Sequence, residues 1–349
     1  MKKFTSLKNY ISYIVIGLVT VICVILSLSG VLKASTAILL EEIAIKIMLA
    51  VSLSLVVGFL GELSLGHAGF MCVGAYLGGK VAYVLTQQLG EDDPILNIVI
   101  LVIALVVGGI CAGICGFLIG LPALRLRGDY LAITTLAFGE IVRTIFLNTS
   151  EESFGGPIGL PTPRFNKEWF YVICFIMVLI TLFVIQNLIR SKHGRAIKAI
   201  RDNEIAARAT GINVTRYKLI GFILSAVFAG LAGVLYSYTK FNVSSQIFDY
   251  NYSIEILVIV VLGGMGNIGG SIISAVLVTF LNRELANILT GNLAVLKDII
   301  YAVILIGIVI YRNAPGLKNF REKYNLKKLF SKKKKTAEVT SDTVAKEEN

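Results

Sequence analysis

Long apolar runs recur along the whole chain, and they constrain its fold more than any other feature of the sequence. The runs are about twenty residues long, which is the length that an α-helix needs to cross the hydrocarbon core of a bilayer. Apolar residues make up 56% of the chain and charged residues only 16%. A soluble domain does not bury so large an apolar fraction in such blocks. The sequence therefore predicts an all-α, polytopic membrane helix bundle.

The order of the runs predicts eight membrane spans and one further apolar segment that glycines interrupt. The first run resembles the apolar part of a signal peptide, but it is longer than such a region and no small-residue cleavage site follows it, so we expect a retained helix. Segment 252–285 contains the glycine-rich run 263–270 and is too long for one simple span. It predicts either a broken pair of helices or a re-entrant hairpin. The eight spans are residues 10–32, 42–60, 66–86, 95–119, 129–147, 169–189, 217–239 and 296–311.

The distribution of charge predicts which segments are cytoplasmic. A polar loop at residues 191–218 is rich in Lys and Arg, and so is the tail from Arg312 onward. Positively charged segments stay on the cytoplasmic side, so we expect the loop and both termini there. This topology accounts for the net charge of +11 without a nucleic-acid partner. The predicted organisation is a cytoplasmic N-terminus (1–9), a membrane domain (10–312) and a basic tail (313–349) that is disordered from about residue 331.

The loop at residues 191–218 contains the signals of a short helix. Asp202 is the expected N-cap, residues 203–210 are the helix body, and Gly211 is the C-terminal stop. Glu204 precedes Arg208 by one helical turn, where the two side chains can pair. A capped helix between two membrane spans is a candidate contact point for a cytoplasmic partner.

Small residues repeat at every fourth position in two of the predicted spans. Such stripes form a groove along one face of a helix and let a second backbone approach closely in lipid. We interpret them as helix-packing positions, which do not identify a substrate. They are Gly108, Ala112, Gly116 and Gly120 in one span and Gly221, Ser225, Ala229 and Gly233 in another.

Polar residues and glycines within the apolar segments are the candidates for a translocation pathway. Ionisable groups at membrane depth are functional candidates by default, and unwound backbone is tolerated there only where it lines a cavity or packs in protein. A structural role stays open as the alternative: Glu62 and His67 could cap a broken helix, while Glu140, beside Arg143, and Glu255 could tether helices. The candidates are Glu62, Ser64, His67, Glu140, Glu255, Gly263, Gly264 and Gly266.

No motif in the sequence indicates an enzyme. Residues 264–269 match the glycine pattern of dinucleotide-binding proteins, but that fingerprint requires a βαβ unit in water, and both flanks here are of membrane length. No Lys-Ser or Lys-Thr pair follows these glycines, and the only histidines of the chain are His67 and His193. We therefore expect no catalytic residue, no metal and no cofactor.

Six segments between about residues 58 and 285 occur in the order GELSLGHAGFMCVGAY, LRLRGDYLAITTLAFGEIVR, GGPIGLP, GRAIKAIRDNEIAARATGINVTRYKL, AVFAGLAGVLY and SIEILVIVVLGGMGNIGG. Together they resemble the membrane permease subunit of bacterial branched-chain amino acid ABC transporters. In such transporters a cytoplasmic helix with an E-A-A-x-x-x-G-like core docks on the ATPase, and here Ile205 replaces the first alanine. The resemblance implies that the ATPase-coupling residues are Arg201, Asp202, Asn203, Glu204, Ala206, Ala207 and Gly211.

The resemblance also implies partners and a location. The chain would form half of a channel for leucine, isoleucine or valine in the bacterial cytoplasmic membrane, together with a second homologous permease subunit. Two cytoplasmic ABC ATPase subunits would hydrolyse ATP, and an extracytoplasmic binding protein would select the substrate. Urea or another small amide-like solute is the alternative cargo. An ion-coupled secondary transporter is the alternative from a different class, because glycine-broken helices also occur there.

Overall fold

The structure is a computed structural model, and it describes residues 34–90, 93–126, 128–163, 170–240 and 242–288, together with single residues at 17, 299, 300, 302, 303, 306 and 307. The chain divides into two units, Met1–Arg283 and Glu284–Asn349. The predicted first span at 10–32, most of the last span at 296–311 and the basic tail lie outside the described residues, and so do both termini.

The described residues form eleven longer helices, one short 3-10 helix (Ser245–Ile247) and a pair of two-residue strands, and seven of the helices are long and apolar enough to span a membrane. Those seven are α1, α2, α3, α4, α6, α9 and α11. The strands β1 (Leu160–Pro161) and β2 (Asn242–Val243) pair in antiparallel fashion. The helices are α1 (Ala34–Leu60), α2 (His67–Leu89), α3 (Pro94–Ala123), α4 (Asp129–Leu147), α5 (Glu151–Phe154), α6 (Phe170–Arg190), α7 (Lys192–Asp202), α8 (Glu204–Ala209), α9 (Val214–Thr239), α10 (Tyr250–Gly263) and α11 (Ile268–Ile288).

Six predicted spans correspond to α1, α2, α3, α4, α6 and α9, and the main difference is the start of α1. The helix begins at Ala34 rather than at Glu42. Glu42, the first residue of the predicted span, lies inside the helix, where it accepts a hydrogen bond from Lys240 Nζ (2.8 Å) and lies 3.7 Å from Arg283 Nη1. Paired charges near a helix end are tolerated where isolated ones are not.

Helix α9 is the centre of the first unit, where it packs against α1, α2 and α3. The small-residue stripe of α3 faces α9: a Cβ added at Gly116 would lie 2.6 Å from the Cβ of Ala226. The same stripe brings Ala112 against Gly230, where an added Cβ would overlap the Ala112 side chain. These contacts require the two backbones to approach closely, as small residues allow.

The stripe on α9 itself faces α1 and α2 rather than α3. Ser225 Oγ donates a hydrogen bond to the carbonyl oxygen of Ser52 in α1 (2.7 Å). Gly233 lies against the carbonyl oxygen of Met71 in α2. The two stripes therefore do not interlock with each other: the α3 stripe packs against α9, and the α9 stripe packs against α1 and α2.

The glycine-rich segment forms a hairpin between α10 and α11. Helix α10 has 14 residues, about 21 Å of helix, so it is shorter than the ~30 Å hydrocarbon core. The chain turns at Gly264 and Gly266, whose φ angles of +91° and +80° are accessible mainly to glycine. Helix α11 then returns to the beginning of α1, where Arg283 Nη2 donates to the carbonyl oxygen of Ser35 (2.7 Å). The segment is thus a broken pair that consists of one short helix and one helix of span length.

Candidate functional site

The polar loop between α6 and α9 folds into two helices. Helix α7 is capped by Ser191, and α8 is capped by Asn203, whose Oδ1 accepts a hydrogen bond from the N–H of Ala206 (3.0 Å). The prediction that Asp202 is the N-cap is wrong, because Asp202 ends α7 instead. Extended backbone at Asn203 (φ −159°, ψ 106°) separates the two helices and presents its side chain to the first turn of α8.

Helix α8 ends where the sequence predicts. Gly211 has a φ of +82°, and Glu204 accepts a hydrogen bond from Arg208 one turn later (2.9 Å). Its buried side is Ala207, which packs with Ile200 of α7 and Val214 of α9 in a small apolar cluster. Helices α7, α8 and the start of α9 are therefore held together by side-chain packing and not only by their caps.

Lys218, in the second turn of α9, connects α8 to the segment between α1 and α2. Its ammonium group donates to Glu62 Oε1 and to Glu204 Oε2, the latter at 3.0 Å. The side chains are 7% exposed for Lys218, 13% for Glu62 and 29% for Glu204. A buried charge is stable only with a partner, and here the partners come from two other elements. We call Lys218, Glu62 and Glu204 the Lys218 network.

Arg201 makes a second connection at the same end of the bundle. Its Nη1 donates a hydrogen bond to the carbonyl oxygen of Gly58 in the last turn of α1 (2.7 Å). Its aliphatic part covers Gly61, where an added Cβ would lie 2.6 Å from Arg201 Cγ. An added Cβ at Gly266, in the turn of the hairpin, would lie 3.4 Å from Arg201 Nη1. One guanidinium therefore contacts both the end of α1 and the hairpin.

Residues 61–66 are not helical and lead from the end of α1 back into the bundle. His67, the first residue of α2, is 2% exposed, and its Nε2 is 2.7 Å from Ser52 Oγ. Because Ser52 precedes the end of α1 by about two helical turns, α2 begins inside the bundle rather than at its surface. Ser64 Oγ, within this segment, is buried without a hydrogen-bond partner among the described residues.

Glu255 tethers α10 to α1. It accepts a hydrogen bond from Lys46 Nζ at 2.6 Å, with side-chain exposures of 11% for Lys46 and 17% for Glu255. The same ammonium group lies 3.9 Å from the centre of the Tyr252 ring, which is a favourable cation–π distance. Helix α10 is therefore fixed to α1 about one turn after its start.

Glu140 occupies a different position, on an open face of α4. It pairs with Arg143 (2.8 Å) and accepts a second hydrogen bond from the backbone N–H of Tyr250, which opens α10 (3.1 Å). The side chains of Glu140 and Arg143 are 30% and 26% exposed. The local pair that the spacing predicts is therefore present, and it is more accessible than the pairs at Lys218 and Lys46.

The structure brings together some of the sequence candidates and separates others. Glu204, expected to couple to an ATPase, shares Lys218 with the pathway candidate Glu62, and Arg201 lies beside the pathway candidate Gly266. Glu140, Glu255, His67 and Ser64 lie elsewhere, on α4, on α10 and around the start of α2. Gly263 and Gly264 belong to the hairpin, and an added Cβ at Gly263 would overlap the backbone of Ser271.

Lys218 and Lys46 are the residues that the sequence analysis missed. Lys218 was counted only among the positive charges of the loop, and Lys46 lies within a predicted span. An ionisable residue inside an apolar run is a signal in itself, because it needs a partner in the bundle. That signal was available, although the identity of each partner was not.

Among the residues that the structure describes, no group of three or more His, Cys, Asp or Glu side chains is placed to hold a metal ion.

Comparison with known proteins adds independent information. The family model described as "Branched-chain amino acid transport system / permease component" matches residues 35–309. The chain is 38% identical over 273 residues to the high-affinity branched-chain amino acid transport system permease protein LivM of Salmonella typhimurium, and 37% identical over 273 residues to LivM of Escherichia coli. Each match covers 69% of this chain and 61% of the relative, so the chain spans about three fifths of the length of these relatives.

A more distant relative is the ribose import permease protein RbsC of Escherichia coli, which is 30% identical over 200 residues, or 54% of this chain and 57% of RbsC. No solved structure matches the chain. The family model covers most of the chain, including every helix from α1 to α11 apart from the first residue of α1. The chain therefore belongs to the family of permease components of branched-chain amino acid transport systems, and it is a multi-pass membrane protein.

Proposed function

We propose that this chain is a permease subunit of an ABC importer and forms half of the translocation pathway for branched-chain amino acids across a bacterial cytoplasmic membrane. In this proposal it pairs with a second homologous permease, receives substrate from an extracytoplasmic binding protein, and is driven by two cytoplasmic ABC ATPases. Family membership and the LivM relatives support the substrate class. In this proposal the separate ATPase subunits hydrolyse ATP.

The proposed coupling of ATP hydrolysis to transport rests on one observation: charged side chains join α7 and α8 to the bundle. Lys218 connects α8 to Glu62, and Arg201 connects α7 to Gly58 and the hairpin. A displacement of α8 would therefore pull on the segment 61–66 and on the turn at Gly266 together. Coupling between an ATPase and the pathway requires an element whose conformation both of them influence. The connections through Lys218 and Arg201 make α7 and α8 such an element.

The outer face of α8 is the proposed docking surface for an ATPase. Ile205 is 80% exposed, which is unusual for a large apolar side chain, and Ala206 beside it is also exposed. The opposite side is held by Ala207, and the two ends are set by Asn203 and Gly211. A short helix with a fixed inner face and an apolar outer face fits a groove on a partner. Asp202, which is 70% exposed, lies at the edge of that surface.

The pathway is proposed to run along the elements that these joints would move. Segment 61–66 leads from the end of α1 to the buried start of α2, and the turn of the hairpin between α10 and α11 lies beside Arg201. Interrupted helices at membrane depth occur where they line a cavity or contact substrate. Glu62, Ser64, His67 and the glycines of the hairpin are the proposed contributors.

The proposal is tested by purifying the tagged chain after co-expression with candidate permease, ATPase and binding-protein subunits from the same genome. We expect a complex that contains two permease chains and two ATPase chains, and that imports radiolabelled leucine into proteoliposomes when ATP is enclosed with the ATPases and binding protein is added. Import that continues without ATP, driven by an ion gradient, would show a secondary transporter instead.

A sugar is the second candidate cargo, because the chain also matches a ribose import permease over 200 residues. Import into the same proteoliposomes distinguishes a branched-chain amino acid substrate from a sugar substrate. Unlabelled isoleucine and valine should compete with leucine for import, whereas ribose and urea should not. Competition by ribose alone would transfer the substrate assignment to sugars and leave the coupling proposal in place.

A further inference from the structure

The turn between α10 and α11 holds one large apolar side chain in an exposed position. Met265 is 65% exposed and stands between Gly264 and Gly266. The N–H of Asn267 donates to the carbonyl oxygen of Gly264 (2.9 Å), and Gly266 has the positive φ, +80°, that a type II turn requires at its third position. Asn267 Oδ1 also accepts a hydrogen bond from the N–H of Gly270 (3.2 Å). Hydrogen bonds therefore fix both the turn and the start of α11, with Met265 at the corner.

This turn lies against the end of α1 and beside α7. A Cβ added at Gly58 would overlap the backbone nitrogen of Gly266, so the two backbones are in contact. Arg201 Nη1 donates to the carbonyl oxygen of Gly58 and lies beside Gly266. Ile205, on the proposed docking helix α8, follows Arg201 by four residues, which is at most about 14 Å of chain. Met265 and Ile205 therefore belong to the same end of the bundle, the end that the proposed topology places in the cytoplasm.

The surroundings of Met265 are polar. The side chain of Asp202 is 70% exposed, that of Arg201 is 41% exposed, and Asn267 in the turn itself is exposed. Charged groups in such positions avoid hydrocarbon, so this end of the bundle faces water or a partner. A single exposed apolar side chain is ordinary on a protein surface. Met265 differs because a closed turn holds it outward and because Ile205, which is 80% exposed, lies at the same end.

We propose that Met265 is a second docking contact for the ATPase subunit that binds the outer face of α8. This inference rests on the proposed function and adds a contact outside the loop at residues 191–218. Methionine suits such a contact, because its unbranched and polarisable side chain adapts to the shape of an apolar pocket. Protein interfaces combine apolar contacts at the core with a polar rim. Met265 and Ile205 would supply the apolar contacts, and Asp202 would belong to the rim.

A contact at Met265 would let the ATPase act directly on α10 and α11. Through α8 alone, a movement of the ATPase reaches this hairpin by way of Arg201. With Met265 bound, the same subunit would move the turn itself, and the hydrogen-bonded turn would pass the displacement to both helices. Two contacts on separate elements would also fix the orientation of the ATPase, which a single short helix does not.

The test is photo-cross-linking in the assembled transporter. Met265 is replaced by the photoreactive residue p-benzoylphenylalanine, the tagged chain is co-expressed with the candidate permease and ATPase subunits, and the membranes are irradiated. We expect a cross-linked product that contains the ATPase, and the same product when the photoreactive residue is at position 205. Position 150 is the matched control, because Ser150 is also exposed but lies beyond the other end of α4. No ATPase product is expected from it.

Two substitutions measure how much the contact contributes. Met265→Glu places a charge in an apolar contact and should lower ATPase recovery in co-purification about tenfold, while Met265→Leu should leave it unchanged. Met265→Ser removes most of the side chain without adding charge, and about a fivefold loss is expected; it replaces Met265→Glu if that variant lowers the amount of permease. Cross-links to the second permease only, cross-links to no protein, or full ATPase recovery with Met265→Glu and Met265→Ser would each overturn the proposal.

Position 205 separates this inference from the proposed function. If neither position 205 nor position 265 cross-links to an ATPase and leucine import continues without ATP, the proposed function is wrong. If position 205 cross-links to the ATPase and position 265 does not, the proposed function stands and only the contact at Met265 is wrong.

Discussion

Lys218 joins two carboxylates that lie 156 and 14 residues away from it in the sequence, Glu62 in the segment before α2 and Glu204 in α8. All three side chains are largely buried. This network places a single positive charge between the proposed docking helix and the proposed pathway. The contacts with Glu62 and with Glu204 both depend on that one charge.

Replacement of Lys218 by Met is expected to destabilise the chain and to uncouple it. The substitution keeps the length of the side chain and removes the partner of the buried Glu62 carboxylate, while Glu204 keeps its pair with Arg208. Breaking a buried pair costs about 3–5 kcal/mol. Thermal unfolding of the purified complex measures the loss. Lys218→Arg should retain most of the stability, and Lys192→Met, at an exposed position on α7, should have little effect. Equal melting temperatures for all three variants would contradict a role for the network.

Replacement of Arg201 by Met is expected to separate ATP hydrolysis from transport. It removes the hydrogen bond to Gly58 and the contact with the hairpin, while the exposed outer face of α8 is unchanged. Coupling energies of 1–3 kcal/mol correspond to ratios of about 5 to 150, so we expect leucine imported per ATP to fall about tenfold or more. Both quantities are measured in the same proteoliposomes.

Asp202→Asn is the matched control for the Arg201→Met variant. The two residues are adjacent and pair at 3.4 Å, but Asp202 is 70% exposed, so the pair contributes little. The number of leucine molecules imported per ATP should stay near that of the unsubstituted chain. If Asp202→Asn lowers it as much as Arg201→Met does, then the surface charge matters and the connection to Gly58 does not.

Replacement of Ile205 by Glu is expected to weaken the attachment of the ATPase without harming the fold. At 80% exposure the side chain makes little contact within the chain, so the free energy of unfolding of the permease, measured by thermal unfolding, should change by no more than about 0.5 kcal/mol. A charge placed at the centre of an apolar contact should reduce ATPase recovery in co-purification by about tenfold or more. Recovery equal to that of the unsubstituted chain would place the docking surface elsewhere.

The sequence predicted the helical class and most of the spans because apolar runs of membrane length have few other solutions. It wrongly predicted Asp202 rather than Asn203 as the N-cap, because both residue types cap well and only the extended backbone at Asn203 distinguishes them. It also missed the partner of Lys218. A lysine in an apolar run reveals that a partner exists, but a carboxylate 156 residues away is identified only by the folded chain.

The sequence also did not show which residues pack against each small residue of the α9 stripe. The four-residue period identified Gly221 and Gly233 as packing positions of the same kind. In the structure they differ, because an added Cβ at Gly233 would overlap the carbonyl oxygen of Met71, whereas one at Gly221 would have only Leu60 Cδ2 nearby, at 4.0 Å. Periodicity indicates a face of the helix, and the neighbouring helix determines how closely each position is approached.

This difference leads to opposite expectations for alanine at the two positions. Gly233→Ala must displace α2 from α9, since the obstacle is backbone and cannot rotate away, and overpacking of this kind costs about 1–3 kcal/mol. Gly221→Ala has room, and the higher helix propensity of alanine favours it by up to about 1 kcal/mol. Melting temperatures of the two purified variants should therefore lie on opposite sides of that of the unsubstituted chain. A loss of stability at Gly221 equal to that at Gly233 would mean that the α9 stripe packs uniformly against its neighbours.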